Sequence, residues 1–191
     1  MKSHLFPALK LTGILLLICS GIYPLMIAGI GMFAPGQGNG VTIQENGRVV
    51  GYENIGQNFV DDKYFSGRPS ANNYNSAVSG GSNKGPADPD YLVIVATRID
   101  TFLAHNPGIT KAEIPSDLIT ASGSGLDPDI SIAAAKIQVK RIAKLRNLSE
   151  AQINQLIQEN IRKPLLGCLG PASVSVLKLN LALNKMATPQ N

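Results

Sequence analysis

The stretch LTGILLLICSGIYPLMIAGIGMF, residues 11–33, decides the architecture, because it contains no Lys, Arg, Asp or Glu. At a rise of about 1.5 Å per residue, a helix of this length crosses the roughly 30 Å hydrocarbon core of a bilayer. A helix is required there, because lipid offers no hydrogen-bond partner to free backbone groups. The sequence therefore predicts one transmembrane helix over residues 11–33.

Two residue types inside this segment modify the helix. Pro24 removes one backbone hydrogen bond and is expected to kink the helix, which membrane helices tolerate. Four glycines would allow other helices to approach closely: Gly13, Gly21, Gly29 and Gly31.

A cleaved signal peptide and a lipoprotein signal are the two competing interpretations of the segment. A signal peptide has an apolar core of about 7 to 15 residues followed by a small-x-small cleavage site, and this run is longer and lacks a convincing site. A lipoprotein signal ending at Cys19 would need a small residue before the cysteine, where this chain has Ile18. A retained span is therefore favoured.

The basic residues around the span predict its orientation. Lys2 and Lys10 precede it, whereas the first basic residue after it is Arg48. The positive-inside rule places residues 1–10 in the cytoplasm and the rest of the chain outside. We therefore expect a single-pass protein of the cell inner membrane, with a linker at 34–40 and an extracytoplasmic domain, periplasmic or extracellular, at 41–191.

Composition narrows the class of protein further. With 191 residues, the chain has room for one ordinary domain besides the span. Its net charge of +4 is small and no aromatic stripe accompanies the arginines, which argues against nucleic acid as a partner. Cys19 in lipid and Cys168 in water are not expected to form a disulfide.

The outer domain reads as helices, short strands and two long Gly/Ser-rich loops. Short strands are expected within residues 41–65, and loops at 66–90 and 115–128. Asp88-Pro89 should start a helix that ends near Ala104. The stretch from Ser173 to Leu183 alternates like a strand, with a helical turn near its end as the alternative. The expected class is α/β (α+β) with a small mixed sheet.

Two further helices are expected after residue 130. Ser131 should cap the first and Asn147 should end it, while Ser149 and Gln152 form a capping box for the second, which should end near Ile161. Two of the predicted helices have an apolar face with the helical period. The helix that starts at Asp88-Pro89 should bury Leu92, Val95, Ile99 and Phe102. The helix that Ser131 caps should bury Ile132, Ala135, Val139 and Ile142, with a basic face of Lys136, Lys140, Arg141 and Lys144 opposite.

The residues needed for catalysis or metal binding are scarce. Only His105 could act as a base outside, and its place at a helix end favours a structural role through the helix dipole. Ser122 and Ser124 lack the Gly-x-Ser-x-Gly context of a nucleophile elbow. A structural zinc site needs four Cys or His ligands, and the outer domain has only His105 and Cys168. The chain is therefore expected to be neither an enzyme nor a metal protein.

Three other features have a functional and a structural interpretation. Asp127 and Asp129 could hold a cation, but a capping role is favoured. The basic helix face could contact lipid headgroups or a partner, but is most often solvated. The loop Ser79-Gly80-Gly81-Ser82-Asn83 could form an anion nest from backbone amides, or a simple cluster of turns.

An ordered series of motifs points to a known family. The residues are 21–25 (GIYPL), 55–59 (IGQNF), 64–71 (YFSGRPSA), 79–83 (SGGSN) and 117–127 (DLITASGSGLD), followed by Arg141, Ala143, 146–148 (RNL) and 179–183 (LNLAL). In this order they resemble the C subunits of bacterial Kdp potassium-transporting ATPases. The resemblance singles out eight motif or interface residues: Tyr23, Pro24, Tyr64, Arg68, Ser70, Ser122, Ser124 and Asp127.

The resemblance implies a non-catalytic accessory subunit of a high-affinity, ATP-driven potassium uptake pump. Its implied partners are a potassium-channel-like subunit and a P-type ATPase subunit, besides the lipid bilayer. It also implies a catalytic-chaperone role, with no firmly bound cofactor and with ATP contacted through the ATPase subunit, Ser79–Asn83 being the candidate contact. The predicted topology separates this loop from cytoplasmic ATP, so we favour a structural cap over the ion entrance.

Two alternatives remain at this point: an envelope binding module and a nucleotide-sensing domain, neither tied to potassium transport. The chain also departs from the family pattern at Asp129, at Gly170-Pro171 and at Ser175, where the family tends to have His or Asn, a Gly-x-Pro spacing, and Asn. Any role of the C-terminal turn is thereby left open.

Overall fold

The computed structural model describes residues 2–187, which divide into two compact units at Ile43 and Gln44. The N-terminal unit contains α1 (Lys2–Leu17), a π-helical segment (Ile18–Ile22), α2 (Tyr23–Gly31) and a 3₁₀ turn (Pro35–Gly38). Its apolar helix, His4–Gly31, has a mean hydropathy of 2.2 and is long and apolar enough to cross a membrane. Helical structure therefore begins before residue 11, where the apolar run starts.

The π-helical segment lies directly before Pro24. The Tyr23 amide donates to the Ile18 carbonyl, five residues earlier. In an α-helix it would donate to the carbonyl four residues earlier. Pro24 has no amide hydrogen, and its ring crowds the carbonyl four residues earlier. A single π turn relieves that crowding, as local π adjustments do in membrane helices. The distortion expected at Pro24 thus takes the form of one wide helical turn.

A β-hairpin leads into the C-terminal unit. Strands β1 (Thr42–Glu45) and β2 (Arg48–Tyr52) pair across Asn46 and Gly47, whose φ angles are 50° and 74°. Two consecutive positive φ angles at Asn-Gly are the signature of a type I′ turn, which matches the twist of a hairpin. Residues 53–88 then contain no helix or strand, which confirms a long loop.

Helix α3 (Pro89–His105) starts as predicted, because the Asp88 carboxylate accepts from the Tyr91 amide at 3.1 Å. Ile99 and Phe102 are buried, but Leu92 is 52% exposed. The predicted apolar face is therefore right for the C-terminal half of the helix and wrong for its first turn. Two short 3₁₀ helices follow, Lys111–Glu113 and Ser116–Leu118.

Helices α4 (Ile132–Ile137), α5 (Val139–Arg146) and α6 (Glu150–Glu159) lie next in the chain. The expected continuous helix is interrupted at Gln138. Ser131 caps α4 at the Ala134 amide, Asn147 ends α5 with φ 54°, and Ser149 forms the capping box with Gln152. The predicted caps are confirmed.

A three-stranded sheet contains β3 (Asp129–Ser131), β4 (Ile161–Arg162) and β5 (Ser173–Ser175), in the order β3-β5-β4. Both pairings are antiparallel, with Ile130 and Ile161 each opposite Val174. The α+β class is confirmed, but the sheet is antiparallel where a mixed sheet was expected.

The expected strand from Ser173 to Leu183 is largely wrong, because helix α7 (Val176–Ala187) occupies most of it. Val176, Leu179 and Leu183 are all buried, at spacings of three and four residues. These spacings fit one face of a helix as well as the alternation of a strand.

The core lies between the sheet and helices α4 to α7. Helix α6 packs on α4, α5 and α7, while α4 packs on β3 and β5. The largest fully buried apolar side chains of the core come from the long loop, the sheet and these helices: Phe65, Ile130, Ile142, Ile153, Ile157, Val174, Leu179 and Leu183.

Candidate functional site

Four of the family motifs meet in the C-terminal unit. The Gly56 amide donates to the Leu126 carbonyl at 2.7 Å, and the Gly80 amide donates to the Ser124 carbonyl at 2.8 Å. The Ser122 amide donates to the Pro69 carbonyl at 3.3 Å. We call this assembly, residues 55–59, 64–81 and 122–127, the loop cluster. Sequence alone identified its parts but not their contact.

Ser70 organises the centre of the loop cluster. Its Oγ accepts from the backbone amides of Asn72 at 3.2 Å and Tyr74 at 2.9 Å. The same hydroxyl lies 2.7 Å from the Gly125 carbonyl and 2.6 Å from Asn72 Oδ1, its two possible acceptors. One hydroxyl therefore fixes a turn and joins it to the second loop.

Arg68 and Asp127 form an ion pair across the two loops. Arg68 Nη1 lies 3.0 Å from Asp127 Oδ2, and the side chains are 25% and 30% exposed. The Tyr74 hydroxyl donates to the Arg68 carbonyl. Burial raises the pKa of Tyr74 to about 12, with the Asp127 charge adding to the rise. Tyr74 is therefore a neutral hydrogen-bond donor at physiological pH.

Glycine is required where the two loops touch. A Cβ built on Gly56 would lie 2.5 Å from the Asp127 carbonyl oxygen. Gly125 has φ 68°, and a Cβ there would lie 2.8 Å from the Gly80 carbonyl oxygen. Both contacts are closer than van der Waals distances permit. The Gly-rich composition of these loops thus reflects close backbone packing.

The Ser79–Asn83 segment packs along the second loop. Ser79 Oγ donates to the Ser124 carbonyl at 3.2 Å, alongside the Gly80 amide. The Gly80 amide is therefore already engaged and does not face an anion, whereas Ser82 and Asn83 are exposed. The turn interpretation accounts for these contacts, and nucleotide contact at this segment stays a prediction.

Ser122 and Ser124 have separate places in the cluster. Ser122 is 3% exposed, so its hydroxyl does not face solvent. Ser124 Oγ accepts from the Leu126 amide at 3.1 Å, and its carbonyl receives the Ser79 and Gly80 bonds. Both serines are thus bound into the loop.

Two buried amide side chains hold the start of the 64–81 segment of the cluster. Asn180 on α7 accepts from the Phe65 amide at 2.8 Å and donates to the Phe65 carbonyl at 2.9 Å. Gln138 accepts from the Ser66 amide at 2.9 Å and donates to its carbonyl at 3.2 Å. Each side chain copies the pairing of a neighbouring strand. Sequence reasoning missed both, although a polar residue on a buried helical face is the available signal.

Arg141 corrects the predicted basic face. Its side chain is only 7% exposed, whereas Lys136, Lys140 and Lys144 are exposed. The guanidinium makes four hydrogen bonds. The acceptors are Asn106 Oδ1, the Asp62 carbonyl, the Tyr64 carbonyl and Gln138 Oε1. Burial lowers the pKa of Arg141, and the Asp62 and Asp61 charges oppose that shift.

Tyr64 lies beside this network. The centroid of its ring is 5.9 Å from the centroid of the Phe59 ring. The guanidinium carbon of Arg146 lies 4.7 Å from the centroid of the Tyr64 ring. Arg146 Nε also donates to the Lys63 carbonyl at 3.0 Å. The motif residues Arg141 and Arg146 therefore both bind the backbone around Tyr64, where the 64–81 segment of the loop cluster begins.

The two acidic residues near β3 do not cap a helix. Asp127 Oδ1 accepts from the Asp129 amide at 3.0 Å, which forms a turn before β3. Asp129 instead pairs with Arg162 at 3.0 Å, and Ser131 caps α4. The capping expectation is wrong because a strand separates these residues from the helix. Among residues 2–187, no group of three or more His, Cys, Asp or Glu side chains is arranged to hold a metal ion.

A cleft of about 390 Å³ lies between the 58–74 segment and α3. Its lining includes Arg68, Tyr74, Arg98 and His105. His105 Nδ1 is 2.8 Å from Asp62 Oδ1, so the histidine at the end of α3 also ties that helix to the segment. The structural role expected for His105 agrees with this contact.

Tyr23 and Pro24 lie in the N-terminal unit, where the π-helical segment joins α2. The Tyr23 side chain is 56% exposed in the isolated chain. An exposed aromatic ring beside a helix distortion is available to lipid or to another helix.

The two units together define a class: a candidate membrane helix joined to an α+β domain with a tightly packed loop cluster. The family model described as KdpC, "K+-transporting ATPase, c chain", matches residues 5–185. The potassium-transporting ATPase KdpC subunits of Flavobacterium psychrophilum and Flavobacterium johnsoniae are 52% and 53% identical, each over 183 residues, 96% of this chain and 98% of the relative. That of Janthinobacterium sp. is 46% identical over 189 residues, 97% of this chain and 100% of the relative.

This chain belongs to the KdpC family of potassium-transporting ATPase subunits. It is thus an accessory subunit of a potassium pump, and its N-terminal apolar helix fits a membrane-anchored subunit. Four of the motifs that carried the resemblance build the loop cluster.

Proposed function

We propose that this chain stabilises a high-affinity, ATP-driven potassium uptake pump from the extracytoplasmic side and performs no chemistry itself. The observation that carries the proposal is the family match over residues 5–185, which includes both the apolar helix and the outer domain. A rigid domain on a membrane anchor is suited to holding other subunits in place.

The proposed partners are a channel-like subunit that carries the ion and a P-type ATPase subunit that is phosphorylated. The apolar helix packs against these subunits in the membrane through its four glycines, where a Cβ would have open space within 4 Å outside the adjacent helix backbone. The outer domain caps the ion entrance. Support for this location comes from Lys2 and Lys10, which precede the span and favour a cytoplasmic N-terminus.

The first turns of α3 offer a surface for a partner subunit. Leu92, Val93 and Ile94 are 52%, 65% and 43% exposed, beside the acidic residues Asp88 and Asp90. An apolar surface with an acidic border suits protein better than anionic lipid. In a chain that lacks both native cysteines, Val93→Cys treated with a thiol-to-amine cross-linker should become linked to another pump subunit in membranes. Gln158→Cys, at an exposed position on α6, serves as the comparison.

The function is tested by removing the chain from a cell that depends on this pump. Deletion should abolish growth at micromolar potassium and reduce recovery of the assembled complex. Unchanged growth would contradict the proposal. A cytosolic location of a C-terminal reporter would contradict the extracytoplasmic cap while leaving the subunit role intact.

The loop cluster is tested by complementing that deletion. Arg68→Gln removes the ion pair with Asp127, and we expect poorer growth at limiting potassium and weaker co-purification. Lys178→Gln is the matched control, because it removes the ion pair with Glu53, which lies outside both the cluster and the α3 surface. Equal growth and equal co-purification for the two variants would show that the Arg68–Asp127 ion pair is not needed for pump function.

A catalytic-chaperone role, in which the chain raises the ATP affinity of the ATPase subunit, stays a prediction with Ser79–Asn83 as its contact. The engaged Gly80 amide argues against direct nucleotide binding at this segment. The full chain in detergent is heated with and without millimolar ATP. An unchanged melting temperature would remove direct binding, because a ligand of the native state must stabilise it.

A further inference from the structure

A small hairpin between β4 and β5 carries three exposed leucines. We call residues 164–170 the leucine tip. The Leu165 amide donates to the Leu169 carbonyl at 3.0 Å, and the Leu169 amide donates back to the Leu165 carbonyl at 2.9 Å. The Gly167 amide donates to the Pro164 carbonyl at 3.0 Å. The tip is therefore a hydrogen-bonded structure, not a loose loop.

The apolar side chains of the tip point into solvent. Leu165, Leu166 and Leu169 are 69%, 84% and 56% exposed. Leu166 also has a φ of 54°, in the left-handed region that leucine rarely adopts. Strained backbone of this kind persists where the surroundings enforce it, which is common at functional positions. Exposed leucine and unfavourable backbone together indicate that the tip has an apolar partner.

Charge around the tip distinguishes the kinds of partner. Residues 160–191 contain no Asp or Glu, but contain Arg162, Lys163, Lys178 and Lys185. Arg162 pairs with Asp129 and Glu53, and Lys178 pairs with Glu53. Lys163, which immediately precedes the tip, makes no ion pair with any of the residues 2–187. Leucines beside an unpaired lysine match the apolar interior and anionic surface of a bilayer.

The membrane is also within reach. Residues 32–43 alone connect the apolar helix to the C-terminal unit. A tether this short keeps the local concentration of the bilayer high, so that weak insertion is effective.

We propose that the leucine tip inserts into the surface of the anionic bilayer in which the chain is anchored. Leu165, Leu166 and Leu169 enter the acyl boundary, and Lys163 remains among the headgroups, where its long side chain can reach them. The outer domain then has two attachments to the membrane, and its orientation is restricted. This inference rests on the proposed membrane anchoring by the apolar helix.

The two native cysteines supply the probes. Cys168 lies in the tip and Cys19 in the apolar helix, and both are exposed thiols. The full chain carrying Cys19→Ser is labelled at Cys168 with an environment-sensitive fluorophore and reconstituted into phosphatidylcholine–phosphatidylglycerol vesicles. Lipids with a quencher on the acyl chain should quench this label and shift its emission to shorter wavelength. A label at Gln158→Cys, in a chain lacking both native cysteines, should remain unquenched.

Substitutions in the tip distinguish insertion by the leucines from insertion by the fluorophore alone. Leu165→Ser, Leu166→Asn and Leu169→Ser together should abolish quenching at Cys168, and asparagine tolerates the left-handed conformation at 166. Folding of this variant is verified by circular dichroism. Equal quenching with and without the leucines would mean that the fluorophore inserts by itself, which overturns the proposal.

The remaining outcomes also decide it. A Cys168 label that stays in water, while a Cys19 label in the Cys168→Ser chain is quenched, overturns the insertion and leaves the anchoring intact. Failure of both labels means that the anchoring itself is wrong. A Cys168 label that becomes protected only when the other pump subunits are added overturns the proposal in favour of a protein partner.

Discussion

At the scale of single residues, buried side chains hold backbone that belongs to no helix or strand. Gln138 and Asn180 are 0% and 1% exposed, and each satisfies both the amide and the carbonyl of one residue in the 53–88 loop. A buried backbone group without a partner costs free energy, so such satisfaction is needed for the loop to enter the core. Arg141 completes the arrangement by binding two further carbonyls.

Arg141→Ala should lower the free energy of unfolding by about 3 kcal/mol, because it leaves buried acceptors without a donor. Urea denaturation of the detergent-solubilised chain, followed by circular dichroism, measures the change. Lys140→Ala, at the exposed neighbouring position, should change the same quantity by less than about 0.5 kcal/mol. Similar values for the two variants would show that the Arg141 network is unimportant for stability.

Tyr74 should make stability depend on alkaline pH. Its folded pKa of about 12 exceeds the ordinary value of 10.0, because burial disfavours the charged phenolate. The stabilisation is complete below pH 10 and is lost as pH rises toward 12. Urea midpoints measured across that range should fall more steeply for the native chain than for Tyr74→Phe, since the lysines titrate in both. Parallel curves would contradict the buried position of the hydroxyl.

The residues that sequence analysis placed correctly act locally. Asp88, Ser131 and Ser149 each cap a helix within three residues of their own position. Asn180 and Gln138 bind residues 115 and 72 positions away, respectively. No local pattern encodes those contacts, which is why the polar interior and the burial of Arg141 were missed while the caps were found.

At the scale of elements, the junction between α5 and α6 depends on a left-handed residue. Asn147 has φ 54°, and the next amide, that of Leu148, donates back to the Ala143 carbonyl at 3.1 Å. Asparagine and glycine enter this region at lower cost than other residues, and so commonly end helices.

Asn147→Ala should therefore destabilise the C-terminal unit by about 1 kcal/mol, while Asn147→Gly should be close to neutral. The midpoint of urea denaturation reports both. Asn154→Ala on α6, where the backbone is helical, is the comparison and isolates the conformational cost. A glycine variant as unstable as the alanine variant would indicate that the asparagine side chain, not its φ angle, matters.

Helix α7 shows why one element was assigned to the wrong class. Apolar residues at 174, 176, 177, 179, 181 and 183 alternate like a strand and also line one side of a helix. Length and β-branching arbitrate between the two, and the leucine-rich part from Leu177 onward is helical, with only three residues of strand before Val176. The predicted helices were easier to place, because recognisable caps bound them.

At the scale of the whole molecule, the exposed acidic groups should set the acid limit of stability. A hydrogen bond from Lys178 lowers the pKa of Glu53, and one from Lys63 lowers that of Asp61. A hydrogen bond from Lys84 lowers the pKa of Asp88, and one from Thr110 lowers that of Glu113. Each carboxylate stabilises the fold above its unfolded pKa, and this contribution disappears as pH falls through the lower folded value.

The unfolding midpoint should therefore stay nearly constant from neutral pH down to about pH 5 and decline below about pH 4. Urea denaturation across this range tests the expectation. Lys178→Met should reduce the decline, because Glu53 then loses the interaction that lowers its pKa. Lys140→Met, whose lysine has no ion pair among residues 2–187, should leave the curve unchanged. A midpoint that rises on acidification would contradict the assignment.

The α+β class and the single apolar helix were predictable, because they follow from hydropathy and from local periodicity. The antiparallel order of the three-stranded sheet was not, since β3, β4 and β5 contain three residues or fewer and carry little pattern of their own. The parts of the loop cluster were recognisable as motifs. Their contact depends on glycines such as Gly56 and Gly125, and each of these touches a distant loop segment only in the folded chain.

The pinning of the 53–88 loop at separate positions has a consequence for how this region can change. Between Asn83 and Asp88, no backbone group is bound by a distant part of the chain described here, so added residues there cost mainly closure entropy, about 0.6 kcal/mol for each doubling of length. One residue added between Phe65 and Ser70 would instead shift the residues that follow it out of register with their hydrogen-bond partners. Evolution and protein engineering alike can lengthen the first interval freely, whereas the second is fixed in length by side chains contributed from two helices.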